Sequence, residues 1–434
     1  VNGGTIKLDG NYPVGTNNVA LGDAALDSNV SGAQNTAIGS DALTANTADD
    51  NTAVGWSAMS SNTTGSLNSA VGRSALVLNT TGSSNTALGY APLSNNTSGG
   101  SNVAIGRQAL LSNTTASNNT AVGYQAAYSN TTAPEVTAVG YKAGYNSTGG
   151  YNTFLGYNAG VGQTSGDSNT YIGRGIASVN TSTGGFNTAL GNFSLSRNTS
   201  GTSNVSVGQH SLYSNTTASN NTAVGYQAGY SNTTGNVTSL GYKALYSNST
   251  GSANVSLGVE TLGGTTTGSN NSAIGNYALY ANTTGGNNVG LGTLALRFNT
   301  TASNNTAVGY QALYANTTGG SNVAVGRGAA DSTTTGSYIT AIGNNALGAN
   351  TTGNRNTAVG PESLSANTTG VSNVAVGSYN DGGGVATLAA NTTGNFNTAL
   401  GASALGANTT AANNTAVGYQ AGYSNTTGAS NTHL

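Results

Sequence analysis

"SNNTAVGYQAGYSNTTG", residues 219–235, returns as "ANNTAVGYQAGYSNTTG" at residues 412–428. With the glycine of its A-[VIL]-G core as a mark, looser spellings recur at 22, 39, 55, 72, 89, 106, 123, 140, 156, 173, 191, 208, 225, 241, 258, 275, 292, 309, 326, 343, 360, 377, 401 and 418. That makes twenty-four units, nearly all seventeen residues apart. A fixed period of this length means that each unit is one supersecondary element able to bury its apolar face only against its neighbours. The fold expected is therefore all-β, a parallel β-solenoid or β-roll of about 24 coils with a 17-residue period. Residues 1–15 depart from the pattern and read as an N-terminal cap or junction, while residues 16–434 read as a single solenoid with an insertion at 378–387.

Composition narrows the class. Only 5% of the chain is charged and 66 of its 434 residues are glycine, yet Val, Ile, Leu and 22 Tyr fall at fixed places. Disordered chains are poor in such residues and rich in charge, so the bias is architectural. The ten Lys and Arg are scattered singly in a chain of net charge -2, which argues against nucleic acid or an acidic membrane surface as partner. No apolar run approaches the roughly eighteen residues of a spanning helix, so no membrane insertion is expected in this segment. Cysteine is absent, which excludes disulfides and thiolate chemistry.

Each column of the repeat has its own duty. The residue before the glycine is Val, Ile or Leu in every unit; the one before that is small, apart from Phe154 and Tyr171. Successive strand residues point to opposite faces. The small column is expected to line the coil interior, and the Val/Ile/Leu column (Val54, Val71, Ile105, Val122, Val224, Val308, Val417) to form a seam with another copy of the chain. A small residue three after the glycine (Ala42, Ala75, Ala109) and a Leu four after it (Leu43, Leu76, Leu110) suggest a second short strand. Asn stands four before the glycine in twenty-one of twenty-four units, replaced only by Val136, Val237 and Ile339. Stacked in register, Asn85, Asn102, Asn119, Asn221, Asn305, Asn322 and Asn414 belong to an amide ladder. "SNTTGSNN" closes the coil with turn formers, and length changes fall there, as in the sixteen-residue "SDALTANTADDNTAVG".

The core "NTAVGYQAL", with "NVAIGRQAL" and "NTAIGSDAL", resembles the head repeats of YadA-like trimeric autotransporter adhesins, and is similar to repeat shafts of phage tail fibres. The resemblance implies a left-handed homotrimeric rod, an extracellular place on a cell surface or virion, and a structural role with adhesive or receptor-binding function. Its partners would be further copies of itself, as homotrimer or head-to-tail filament, and a host-surface glycan or protein.

Catalysis and cofactors are not expected. His210 and His433 stand more than two hundred residues apart, and neither "ADDN" nor "NDGGG" has the alternating oxygens of a calcium loop. "DGGGVA" lacks the Lys-Ser/Thr of a phosphate cradle. Binding candidates lie on the outer rows. Directly after the glycine come Tyr90, Tyr124, Tyr141, Tyr157, Tyr226, Tyr242, Tyr310 and Tyr419, interleaved with Trp56, Arg73, Arg107, Arg174 and Arg327, a row suited to a glycan, a partner surface or subunit contacts. The turn carries N-x-[ST] in twenty units, among them Asn62, Asn79, Asn113, Asn215, Asn282, Asn316, Asn350 and Asn425, which would accept N-linked sugars if exposed in an exported chain. Thr columns in "NTT" and "NTA" raise ice binding as an alternative, weakened by their assignment to turns of varying length.

Overall fold

The computed structural model describes residues 15–179, 181–379 and 385–434. The proposed N-terminal cap, apart from residue 15, and the middle of the 378–387 insertion lie outside the described residues. The chain divides into two compact units, Val1–Asn220 and Asn221–Leu434. Among the described residues the first unit carries one strand per coil from β1 (Val19–Leu21) to β12 (Val205–Val207), and the second from β13 (Thr222–Val224) to β25 (Thr432–His433). Within each unit every strand pairs in parallel with that of the next coil, as Thr120, Ala121 and Val122 do with Thr137, Ala138 and Val139. Both units are therefore parallel β-solenoids, and no helix occurs among the described residues.

Changes in repeat length leave this register intact. Thr36 pairs with Thr52, sixteen residues on, Thr170 with Thr188, eighteen on, and Val374 with Thr398, twenty-four on. Extra or missing residues are absorbed between the strands, where the backbone runs at the surface.

The expected second strand is not formed. Beyond the glycine the chain alternates hands: Gln108 and Leu110 stand at φ 58° and 50°, and Asn118, five before the next glycine, at 63°. Left-handed residues break the pleat and turn the chain back on itself. Asn tolerates that conformation, but Leu does not, at a cost of roughly 1–2 kcal/mol. What offsets the cost is burial: Leu43, Leu76 and Leu110 are fully enclosed, worth about 1.5–3 kcal/mol each. The segment still bonds from coil to coil, Leu110 N–H donating to Ala126 C=O at 3.0 Å and Ser112 N–H to Tyr128 C=O at 3.1 Å. The repeat glycine follows from the same economy of space. Gly123 has φ +135°, and a Cβ there would run into the carbonyl of Gly140 in the next coil.

The interior is thin. Ala121, Ala138 and their counterparts fill it from the strand and the corner leucines from the opposite wall, all fully buried. Phe154 and Tyr171 replace the small residue and are also fully buried, with ring centroids 5.7 Å apart. Room for Phe154 comes from the wall: the corner Leu is Gly144 in one coil and Gly160 in the next, and a Cβ on either would fall on the Phe154 ring.

Candidate functional site

The Asn four before the glycine is buried, and its side chain spans two coils. Asn102 donates its main-chain N–H to Asn85 Oδ1 at 3.0 Å, and Asn119 to Asn102 Oδ1 at 3.0 Å. The same main-chain bond joins Asn305 to Asn288, Asn322 to Asn305 and Asn414 to Asn397, while Asn221 Oδ1 accepts from Val237 N–H. Since the donor is the backbone, a residue without an amide is tolerated on the receiving side: Val136 and Ile339 N–H donate to Asn119 and Asn322 Oδ1 at 2.8 and 2.9 Å.

The N-x-[ST] asparagines form a second ladder, which the reading of them as exposed sugar acceptors missed. Asn62, Asn79, Asn113, Asn215, Asn282, Asn316 and Asn350 are fully buried, and Asn425 is half-buried. Asn79 Nδ2 donates to Asn62 Oδ1 at 2.7 Å, Asn96 to Asn79 and Asn113 to Asn96 at 2.8 Å. Asn85 and Asn96 Nδ2 both donate to Gly99 C=O at 2.9 Å, so one carbonyl ties the two ladders together. A glycan on Nδ2 would have to displace these bonds and enter a space without room. The folded coils do not present the seven fully buried sites, and the repeated tripeptide is accounted for by the ladder that their Nδ2 groups build, although Asn113 and Asn316 Oδ1 accept no bond.

The outward face of the strand carries two columns rather than one. Val71 and Val417 are exposed and Val54, Ile105, Val122, Val224 and Val308 half-exposed, with Leu88 and Leu400 reaching 46%. The threonine of "NTA" stands two residues earlier on the same face, as in Thr86–Leu88, where Thr86 is exposed. It belongs to the strand, not to a turn of varying length as expected from the sequence. The "NTT" threonines do lie in turns, and their hydroxyls are used there: Thr80 Oγ1 donates to Thr97 C=O at 2.9 Å.

The row after the glycine forms a continuous stack across eight coils of the first unit. Arg73 lies 4.8 Å from the Trp56 ring and 5.8 Å from Tyr90; Arg107 lies 5.5 Å from Tyr90 and 5.9 Å from Tyr124. Tyr124, Tyr141 and Tyr157 follow face to face at 5.3 and 5.1 Å, and Arg174 closes the series 5.7 Å from Tyr157. In the second unit Tyr226 and Tyr242 stack at 5.5 Å, and Tyr310 and Tyr419 are exposed. Ring faces in the stacks are taken by neighbours, each contact worth about 0.5–1.5 kcal/mol. A sugar needs a bare face, so the stacked row presents only hydroxyls and guanidinium edges, and its first duty is to the coil.

A second aromatic column, which the sequence reading left aside, runs five residues after the glycine. Tyr128 and Tyr145 stack at 5.0 Å, Tyr230 and Tyr246 at 5.2 Å. Lysines sit between the columns: Lys243 Nζ is 5.3 Å from the Tyr242 ring and 5.6 Å from Tyr246. A hydrogen bond with Tyr242, with the nearby Tyr242 and Glu260 charges, holds the Lys243 ammonium above the usual lysine range. After Tyr246 the column is broken by Gly263 and resumes at Tyr280, and a cleft of about 400 Å³ opens there.

His210 stacks on Phe193 at 5.6 Å and meets Tyr213 edge-on at 5.4 Å. Among the described residues no group of three His, Asp or Glu is placed to hold a metal ion, and no helix is long and apolar enough to cross a membrane. Comparison with protein-family models and with curated proteins finds no match.

Proposed function

We propose that this chain is a shaft segment of an extracellular fibre, of the kind found in bacterial surface adhesins and phage tail fibres, joined to further copies through its outward aliphatic column. One observation carries the reading: along both units the sheet face repeats Val, Ile or Leu in water, as at Leu155, Leu190, Leu240 and Ile274, each more than 40% exposed. Soluble monomers rarely leave so long an apolar stripe uncovered. A repeating face on a repeating sheet matches a second copy coil for coil, and closed symmetry about an axis would cover it. Coil-to-coil amide ladders supply the stiffness of a spacer. Sedimentation at micromolar concentration tests this: a species of about three times the 42.4 kDa chain is expected, and a stable monomer would overturn it. Open-ended growth to larger masses would instead favour the head-to-tail filament.

The strand threonines support a second reading. Thr and aliphatic columns on one parallel sheet face, at the roughly 4.8 Å strand spacing, make an ordered surface for water, and this would be an ice-binding face. Thermal hysteresis of the purified chain separates the two, since a face sealed in an oligomer cannot touch ice.

A further inference from the structure

Along Tyr124, Tyr141 and Tyr157, and in the pairs Tyr128–Tyr145 and Tyr230–Tyr246, each ring is covered by the ring of the next coil. Gly263 is where a glycine stands between two tyrosines in the column five after the glycine. On one side Tyr246 is stacked on Tyr230; on the other Tyr280 meets Tyr277 edge-on at 5.7 Å. One coil further, the equivalent position is Arg297, whose Nη1 reaches the Tyr314 hydroxyl at 3.4 Å. The column in this unit thus reads ring, ring, gap, ring, guanidinium, ring. Two coil steps span on the order of 10 Å, enough for one further ring between two faces.

The gap is the cleft of about 400 Å³ described above. Tyr246 and Tyr280, Gly263 and Gly264, and Lys243 and Glu260 all line it. Gly263 does not have the positive φ of the repeat glycines, so its lack of a side chain is not a demand of the backbone. A Cβ there would come within 3.1 Å of Tyr280 Cε2, the far end of a side chain able to swing, and 3.2 Å from the Glu260 main-chain carbonyl. A lining of two tyrosine rings, a cation, a carboxylate and two glycines is what a pyranose takes. Its C–H face stacks on Tyr, and its hydroxyls donate to Glu260 and accept from Lys243.

We infer that this cleft binds one sugar ring of a host-surface glycan, the ring replacing the one that Gly263 omits. The inference deepens the adhesive side of the fibre reading, and its test is separate: chain number decides the fibre, saccharide binding decides the cleft. Saturation-transfer NMR on the full chain with cellotriose, maltotriose and chitotriose should show transfer from Tyr ring protons to at least one of them. Gly263→Tyr, which refills the column, should weaken that binding at least tenfold. Tyr246→Ala should do the same without adding bulk, while Tyr226→Ala in the other row should leave it within twofold. Hydrogen exchange of the flanking coils confirms that each variant is folded. The idea is overturned if none of the three saccharides gives transfer, or if Gly263→Tyr and Tyr246→Ala bind as the unchanged chain does.

Discussion

The coils around Phe154 and those around Ala307 solve the same packing problem in opposite ways. At Ala307 the strand contributes a methyl group, and the corners contribute Leu296 and Leu313, all fully buried. At Phe154 the strand contributes a ring, and the corners Gly144 and Gly160 contribute nothing. The polar wall follows: the second Asn ladder is replaced there by Ser147 and Gln163, and Gln163 Oε1 accepts the Tyr171 hydroxyl at 3.3 Å. Burial holds that phenol well above its usual range, so it stays a neutral donor. The interior is thus conserved as a volume across neighbouring coils, not as a residue at each position.

The largest expected effect breaks the aromatic solution outright. Phe154→Ala leaves corners that cannot refill the space and should cost about 3–5 kcal/mol, read as lost amide protection in the coils on either side. Adding Gly144→Leu and Gly160→Leu should recover most of that loss by converting the region to the ordinary solution; failure to recover would mean the exchange is not the determinant. Next in size, Gln163→Asn should withdraw the partner of a buried hydroxyl at a cost of about 1–3 kcal/mol, whereas in ordinary coils it is Asn96→Ala that carries a similar penalty. Thermal unfolding of each variant checks both. Smaller still, Tyr141→Ala in the outer stack should cost about 1 kcal/mol and leave strand protection unchanged.

The smallest effect is electrostatic. Desolvation raises the carboxyl pKa of half-buried Asp331 above its ordinary value. A raised folded-state pKa means that the folded chain favours the protonated acid. Its stability is therefore full below the unfolded value and declines as pH rises through the folded one, an effect that solvent screening at this half-exposed group keeps small. Asp331→Asn should remove this slope from denaturation midpoints measured between pH 3 and pH 6.

Much of this was legible in the sequence. Period, parallel register, the inner small column and the outward aliphatic column follow from the spacing of "NTAVG", because a strand's two faces are set by alternation alone. The corner conformation was not, since Leu110 at positive φ contradicts its local preference and is held there only by burial. The duty of Asn79 was hidden for a related reason: N-T-T is at once a turn, a sugar acceptor and a buried amide, and only the location of its Nδ2 distinguishes them. The cleft at Gly263 was written plainly as a missing Tyr, but its meaning required the neighbouring rings to be known as stacked.

Strand pairing that survives steps of sixteen, eighteen and twenty-four residues has a consequence for how such a gene changes. Each coil recognises its neighbour by side chains and main-chain partners, with no requirement on how far along the chain that neighbour lies. Recombination between near-identical phrases such as those at 219–235 and 412–428 would add or remove whole coils while leaving every surviving junction of a familiar kind. Length is then a freely adjustable inheritance, and the rarer features, Phe154 with its two glycines and the gap at Gly263, are what an excised coil would take with it.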